Sequence, residues 1–396
     1  MTLPAASRPD SSEPPSAGPP SAPFRPPPYP YDRLRELRAV ADSVEGGLVD
    51  CSIGTPCDPP PAAVVGALGA SGRERGYPPS AGSLAYREAA AGWIGRSFGA
   101  AVDPAGVAAC VGTKEMVAST PHYLRLAKPE RDTVLVPAVA YPTYAMGAVL
   151  AGCRAVAVPP ADGEGGGMDL ERVDPSDARR VLLLWVNSPA NPTGSVTDLA
   201  AAAAWGRSHG VPVFSDECYA DFTWDGPPRS ILEEGLDGVV AVHSLSKRSN
   251  LAGVRAGFFS GDPALVQYLR DVRQHAGLIV AGPVQEAAVA ALSDEEHVGA
   301  QRARYRERLE LLATALSGAG CPTRLPAGTF YLWPSAGTRW TDGWAMAADL
   351  AKTAGLLVSP GSLYGDAGAR YVRIAVVQPT ERIALVAERL SAASRR

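Results

Sequence analysis

The chain has 396 residues, of which 46% are hydrophobic and 20% charged, with a net charge of -4 and a pI near 5.8. That length suits a large domain joined to a smaller one, and the composition is that of an ordinary globular protein. The mild negative charge gives no general attraction to nucleic acid or an anionic membrane, so a small-molecule ligand is expected.

Eleven of the 37 prolines fall in residues 1–30. Proline fixes φ and removes a backbone donor, so residues 1–28 are expected to form a disordered, proline-rich tail. The tail has no basic stretch leading into an apolar one, and no apolar run in the chain reaches the roughly 20 residues that span a bilayer. Neither a secretory leader nor a membrane span is expected, and the setting is read as cytoplasmic.

Residues 29–57 read as an arm joining a small domain, 58–296 as a large domain and 297–396 as the small C-terminal domain. In the large domain helical patterns alternate with apolar runs, clearest at Thr133 to Pro137, Val181 to Val186, Val211 to Ser215 and Val239 to His243. Runs this apolar suit strands buried on both faces, so a mainly parallel sheet flanked by helices is expected. An Ala-rich helix from Asp198 to His209, ended by Gly210, gives the βαβ rhythm. In the small domain Tyr305, Leu309, Leu312 and Leu316 share one face of a long helix, and a last helix starts with Thr380 as its cap. Strand-like FYLW (330–333), LLVS (356–359) and YVRIAVV (371–377) lie between them. That part is α+β.

Six cysteines (Cys51, Cys57, Cys110, Cys153, Cys218, Cys321) are scattered without a C-x-x-C pair, and the five histidines show no H-E-x-x-H. Neither a disulfide framework nor a metal site is expected. His243 and His275 read as structural.

Only four of the 37 basic residues are lysine: Lys114, Lys128, Lys247 and Lys352. Lys247, in HSLSKRSNLAGVRAGF, directly follows an apolar strand, where open α/β sheets collect ligands. Lysine can lose its proton and attack a carbonyl carbon, as arginine cannot. Ser244 and Arg255, the latter between Gly253 and Gly257, are suited to holding an anion. Together they make a kit for an aldehyde carrying a phosphate.

Other strand ends add to it. Asp216-Glu-Cys-Tyr219 follows one run and Asn187-Ser-Pro-Ala-Asn-Pro-Thr-Gly194 another. Gly112-Thr-Lys-Glu115 opens a helix whose free amides suit a phosphate, and Tyr141, in Ala140-Tyr-Pro-Thr-Tyr144, is placed to stack on a ring.

These motifs, with Y-x-x-x-x-G (Tyr77 to Gly82) and the late V-R at Arg373, resemble in their order the class I/II aminotransferases, pyridoxal-phosphate enzymes of fold type I. The resemblance covers nearly everything after residue 29. It implies that Lys247 carries the aldehyde carbon of pyridoxal 5′-phosphate and moves the substrate's Cα proton. It places Asp216 on the ring nitrogen, Asn191 and Tyr219 on the ring oxygen, and Tyr141 against the ring. Thr113, Lys114, Ser244 and Arg255 would surround the phosphate. Arg373 would grip the substrate α-carboxylate with help from the main chain at Gly54. A homodimer is implied, with Tyr77 reaching the neighbouring active site.

VDCSIGTPCDP, NSPANPTG, SDECY and GDAGARYVRIA are similar to the N-succinyldiaminopimelate aminotransferases of lysine and diaminopimelate biosynthesis, which pass an amino group from glutamate to a ketopimelate derivative. Both substrates carry an extra carboxylate, for which Lys114, Arg248 and Arg25 are candidates by charge. AGSLAYREA departs from that group by its Ala-Tyr, and the tail is extra, which leaves open an aminotransferase for another substrate or a Cβ–S lyase. A dehydrogenase would need G-x-G-x-x-G after its first strand, and no such spacing occurs. A regulator would need a DNA-binding module that the tail cannot supply.

Overall fold

The computed structural model describes residues 24–70, 72–161 and 167–395. Most of the expected tail, residues 1–23, and the Gly-rich segment 162–166 lie outside them.

The arm brings a short strand β1 (Val49–Asp50). A seven-stranded sheet follows, made of β2 (Val107–Cys110), β3 (Thr133–Pro137), β4 (Arg154–Val158), β5 (Val181–Asn187), β6 (Val213–Asp216), β7 (Val239–Ser244) and β8 (Gly257–Gly261). Its order is β2-β8-β7-β6-β5-β3-β4. Only β8 runs against the others, antiparallel to both β2 and β7. All seven residues of β5, VLLLWVN, are buried. Successive side chains alternate faces, so Leu184 and Val186 enter one apolar cluster while Leu183 and Trp185 enter the other. Helices Leu84–Phe98, Leu199–His209 and Gly282–Leu292 cover the first face, and Thr113–Ala127, Thr143–Leu150 and Pro263–His275 the second. Each such large side chain taken out of water contributes about 2 kcal/mol.

Local signals set the helix ends. Asp198 accepts from Ala201 N at 2.9 Å, and Gly210 closes that helix at φ +59, a conformation that favours glycine. Thr380 departs from its expected part: Pro379 occupies the cap position and Thr380 is the first helical residue. Its hydroxyl instead accepts from Arg308 Nε at 3.2 Å.

Beyond the sheet lies a third apolar cluster. The helix Glu296–Gly318 gives it Tyr305, Leu309, Leu312 and Leu316, all fully buried. It packs on the helix Thr380–Ala393 and on the short strand β9 (Tyr331–Leu332), while β10 (Leu356–Leu357), β11 (Ser359–Pro360) and β12 (Val372–Ala375) lie against the helix Gly343–Ala354. Strand β12 pairs antiparallel with both β9 and β11, and β1 of the arm pairs with β10. The arm therefore packs with the C-terminal elements, and β9 and β12 face the edge where the parallel strands end.

Candidate active site

Because β5, β6 and β7 are parallel, Asn187, Asp216 and Ser244 finish side by side at one sheet edge. The start of the helix Thr113–Ala127 and the loop carrying Tyr141 reach the same edge. Together with the arm and β12 they enclose a cavity of about 300 Å3. Eleven of the twelve site residues expected from sequence line it: Gly54, Thr113, Lys114, Tyr141, Asn191, Asp216, Tyr219, Ser244, Lys247, Arg255 and Arg373. Tyr77 does not; it stands on the surface, 98% exposed. A second cavity of about 400 Å3 shares only Asn187 with the first and holds none of the twelve.

Lys247 sits in the four-residue helix Leu245–Arg248 that directly follows β7, and its Nζ donates to Gly54 O. Burial, helped by the positive charges of Arg373 and Arg255, pulls its ammonium from 10.5 down to about 8. Near neutral pH a usable fraction is therefore an unprotonated amine.

Asp216 is buried, and burial lifts its carboxyl above the ordinary range. Two donors partly offset that: Tyr144 Oη at 2.7 Å and Cys218 N at 3.2 Å. Tyr144 is held by stacking on Trp185, with centroids 5.4 Å apart. Behind the strand ends, Glu217 accepts from Ile231 N at 2.8 Å and lies 2.9 Å from His243 Nε2. His243 stacks between Phe98 and Phe258, the structural place expected for it.

Arg255 adopts φ +61, a strained conformation for a side-chain-bearing residue. Its guanidinium lies against Gly112, where an added Cβ would stand 2.5 Å from Arg255 Cζ. Glycine is thus required at the entry to the helix Thr113–Ala127, whose first residues Thr113 and Lys114 line the cavity together with Ser244; a helix start leaves its first amides without intrahelical partners.

Arg373 is buried on β12, donating from Nη1 to Asn191 Oδ1 at 2.9 Å and from Nη2 to Ser52 O at 2.6 Å. Tyr331 and Tyr364 flank its guanidinium at 4.4 and 4.9 Å from their ring centres. Its Nε is buried without a hydrogen-bond partner among the described residues.

Arg248 is corrected by the structure. It is 2% exposed, donates to Ala291 O at 2.6 Å and Glu295 at 2.8 Å, and faces Asp221, so it pins helices and lines no part of the cavity. Arg25 is exposed and also outside the cavity. Lys114 remains, its Nζ 5.2 Å from the ring centre of Tyr29. Sequence reasoning missed Tyr144, Tyr331, Tyr364 and the arm residues Tyr29 and Tyr31. For Tyr144 the signal was its place three residues after Tyr141 in Y-P-x-Y, at the start of the helix Thr143–Leu150; the others gave none.

The donor set fits pyridoxal phosphate. The cavity wall offers a helix start, hydroxyls and a guanidinium for a phosphate, and a buried carboxylate that a ring N–H cation would compensate. Among the described residues no three His, Cys, Asp or Glu side chains are grouped to hold a metal, and no helix is long and apolar enough to cross a membrane.

Comparison with known proteins agrees. A family model, aminotransferase class I and II, matches residues 47–390. The 4-dedimethylamino-4-oxo-anhydrotetracycline transaminase OxyQ of Streptomyces rimosus is 43% identical, over 92% of this chain and 99% of that enzyme. The LL-diaminopimelate aminotransferase of Desulforudis audaxviator is 34% identical, over 92% and 95%. Among solved structures, a probable N-succinyldiaminopimelate aminotransferase from Thermus thermophilus superposes with a TM-score of 0.81 at 32% identity, covering 92% of this chain and 99% of that one. The family match across the sheet edge that carries Lys247, Asp216 and Arg373 makes this chain a pyridoxal-phosphate-dependent member of the class I and II aminotransferases.

Proposed function

We propose that the chain transfers the amino group of glutamate to N-succinyl-2-amino-6-ketopimelate, working as a homodimer in the cytoplasm. The observation that carries the reading is Lys114. Among the described residues four cations line the cavity; Lys247, Arg255 and Arg373 serve the cofactor and the α-carboxylate, and Lys114, which the family resemblance also sets near the phosphate, is read here, among tyrosines, as the partner of a distal carboxylate. The likeness to the Thermus protein supports the same choice.

In this reading Arg373 grips the α-carboxylate bidentately, and its bond to Asn191 fixes the direction of the grip. Asp216 holds the ring nitrogen, Asn191 and Tyr219 the ring oxygen, Tyr141 the ring face, and Thr113, Ser244 and Arg255 the phosphate. When bound, the cofactor supplies an electron-withdrawing ring that acidifies the substrate Cα–H. Lys247 Nζ, neutral in appreciable part near pH 8, takes that proton and returns one to the cofactor side. Fully exposed on the surface, Tyr77 is free to serve the cavity of a second subunit.

A second reading is favoured by the 43% identity to OxyQ: a ketone on a fused-ring skeleton, accepted by the tyrosine-lined cavity. A screen with glutamate as donor against N-succinyl-2-amino-6-ketopimelate, simple 2-keto acids and a 4-oxo-tetracycline-type ketone separates the two. The highest kcat/KM should fall on the ketopimelate. Preference for the ring ketone, or release of pyruvate from cystathionine in place of transamination, overturns the assignment.

A further inference from the structure

Tyr331 lies on β9, where Ala375 of the Arg373-bearing strand pairs with it. Its Oη stands 2.8 Å from Tyr219 Oη, and both side chains are buried. A phenol has one proton to give, and at this pair the geometry allows either hydroxyl to donate. A Tyr219 that gives its proton to the cofactor's ring oxygen has only lone pairs left for Tyr331. Tyr331 must then be the donor.

Tyr331 is fixed for that task from every side. Its ring packs against Phe330 and Tyr219, with centres 4.8 and 5.5 Å away, and lies under the Arg373 guanidinium. Its hydroxyl abuts Gly54 so closely that a Cβ there would overlap it, and the carbonyl of Gly54 accepts from Lys247. The charged and titratable groups around the pair are Arg373, Cys218, Tyr31, Tyr141 and Tyr305, with Lys247 on the same cavity wall.

We propose that Tyr331 is a positioning residue: its hydroxyl, donated to Tyr219, commits the Tyr219 proton to the cofactor's ring oxygen, and its contact with Arg373 ties that commitment to the carboxylate site. The proposal rests on the reading that Tyr219 faces the ring oxygen. A donor that receives a hydrogen bond is itself a stronger donor, so losing the Tyr331 hydroxyl weakens the bond that Tyr219 makes.

The test is a spectrophotometric pH titration of the cofactor-loaded protein, reading the midpoint of its visible band, for wild type, Tyr331→Phe, Tyr219→Phe and the double variant. Phenylalanine keeps the ring over Arg373 and removes only the hydroxyl. Tyr331→Phe should raise the midpoint by about half a pH unit, less than Tyr219→Phe does, and should add nothing in the Tyr219→Phe background. If Tyr219→Phe shifts the midpoint and Tyr331→Phe does not, the proposal fails while the reading of Tyr219 stands. If the Tyr331→Phe shift persists undiminished beside Tyr219→Phe, the effect runs through Arg373 and the proposal fails again. No shift in Tyr219→Phe overturns both.

Discussion

Lys247 should destabilise the cofactor-free protein at neutral pH, and Lys247→Met should reveal by how much. Its ammonium falls from 10.5 in the unfolded chain to about 8 in the fold. At 1.36 kcal/mol per pH unit this is worth about 3 kcal/mol. The sign follows from the direction. A base whose folded pKa is depressed holds its charge less willingly in the fold, so the cost is fully present below pH 8. It fades as the pH rises through 10.5, above which neither state carries the proton. Methionine has a similar shape without a charge. The measurable quantity is the difference in urea unfolding free energy between variant and wild type, both freed of cofactor, from pH 6.5 to 10.5; titrations elsewhere in the chain cancel in it. The difference should shrink by about 3 kcal/mol across that range. A difference constant to within about 0.5 kcal/mol would show that Lys247 is not electrostatically disfavoured, and the argument for its availability as a base would go with it.

Three further outcomes can be checked with ordinary variants. Tyr144→Phe removes the 2.7 Å donor to Asp216 and leaves the buried carboxylate harder to ionise, so cofactor affinity measured by fluorescence should fall about 3- to 10-fold. Gly112→Ala places a Cβ against the Arg255 guanidinium at a residue with φ +74, and inorganic phosphate should then compete about 10-fold less well for the cofactor-free site. Arg308→Ala breaks a two-pronged pair with Asp58, at 2.7 and 2.8 Å, and should cost about 3 kcal/mol in urea unfolding near pH 7. Although burial pushes the Asp58 carboxyl up, Arg308 and Gln301 together hold it below its ordinary 3.8. That stabilisation is present above about pH 4 and is lost on further acidification, so the wild type should lose the gap to Arg308→Ala in acid.

Much of the large sheet was legible because its strands are buried on both faces, which leaves a continuous apolar run in the sequence at β5 and β7. The strands that were not read lack that signature. In β4, RAVAV, Arg154, Ala155 and Ala157 are exposed at the sheet edge. In β8, GFFSG, two glycines meet backbone that a side chain would strike: Gly257 would carry a Cβ 2.9 Å from His243 O, and Gly261 would press its own on Val240. The sequence GVRAGF reads as an anion-binding loop, and Arg255 does line the cavity, but the same glycines also let an antiparallel strand slide in between β2 and β7.

The site divides along a similar physical line. Residues at the ends of parallel strands are brought together by strand order, so the apolar runs alone suffice to group Asn187, Asp216, Ser244 and Lys247. Tyr331 reaches the cavity, and Tyr364 the Arg373 guanidinium behind it, only through the pairing of short C-terminal strands and the docking of the arm, which no local pattern encodes. Charge alone misled at Arg248, one residue beyond the lysine: a guanidinium donating to Ala291 O and facing Glu295 and Asp221 serves the fold, whereas Lys114 keeps its ammonium at the cavity wall. Adjacent cations in a binding loop are therefore separated by the direction in which the backbone sends each side chain. On the short helix after β7, Lys247 faces Gly54 and the cavity, and Arg248 turns away into the helix layer.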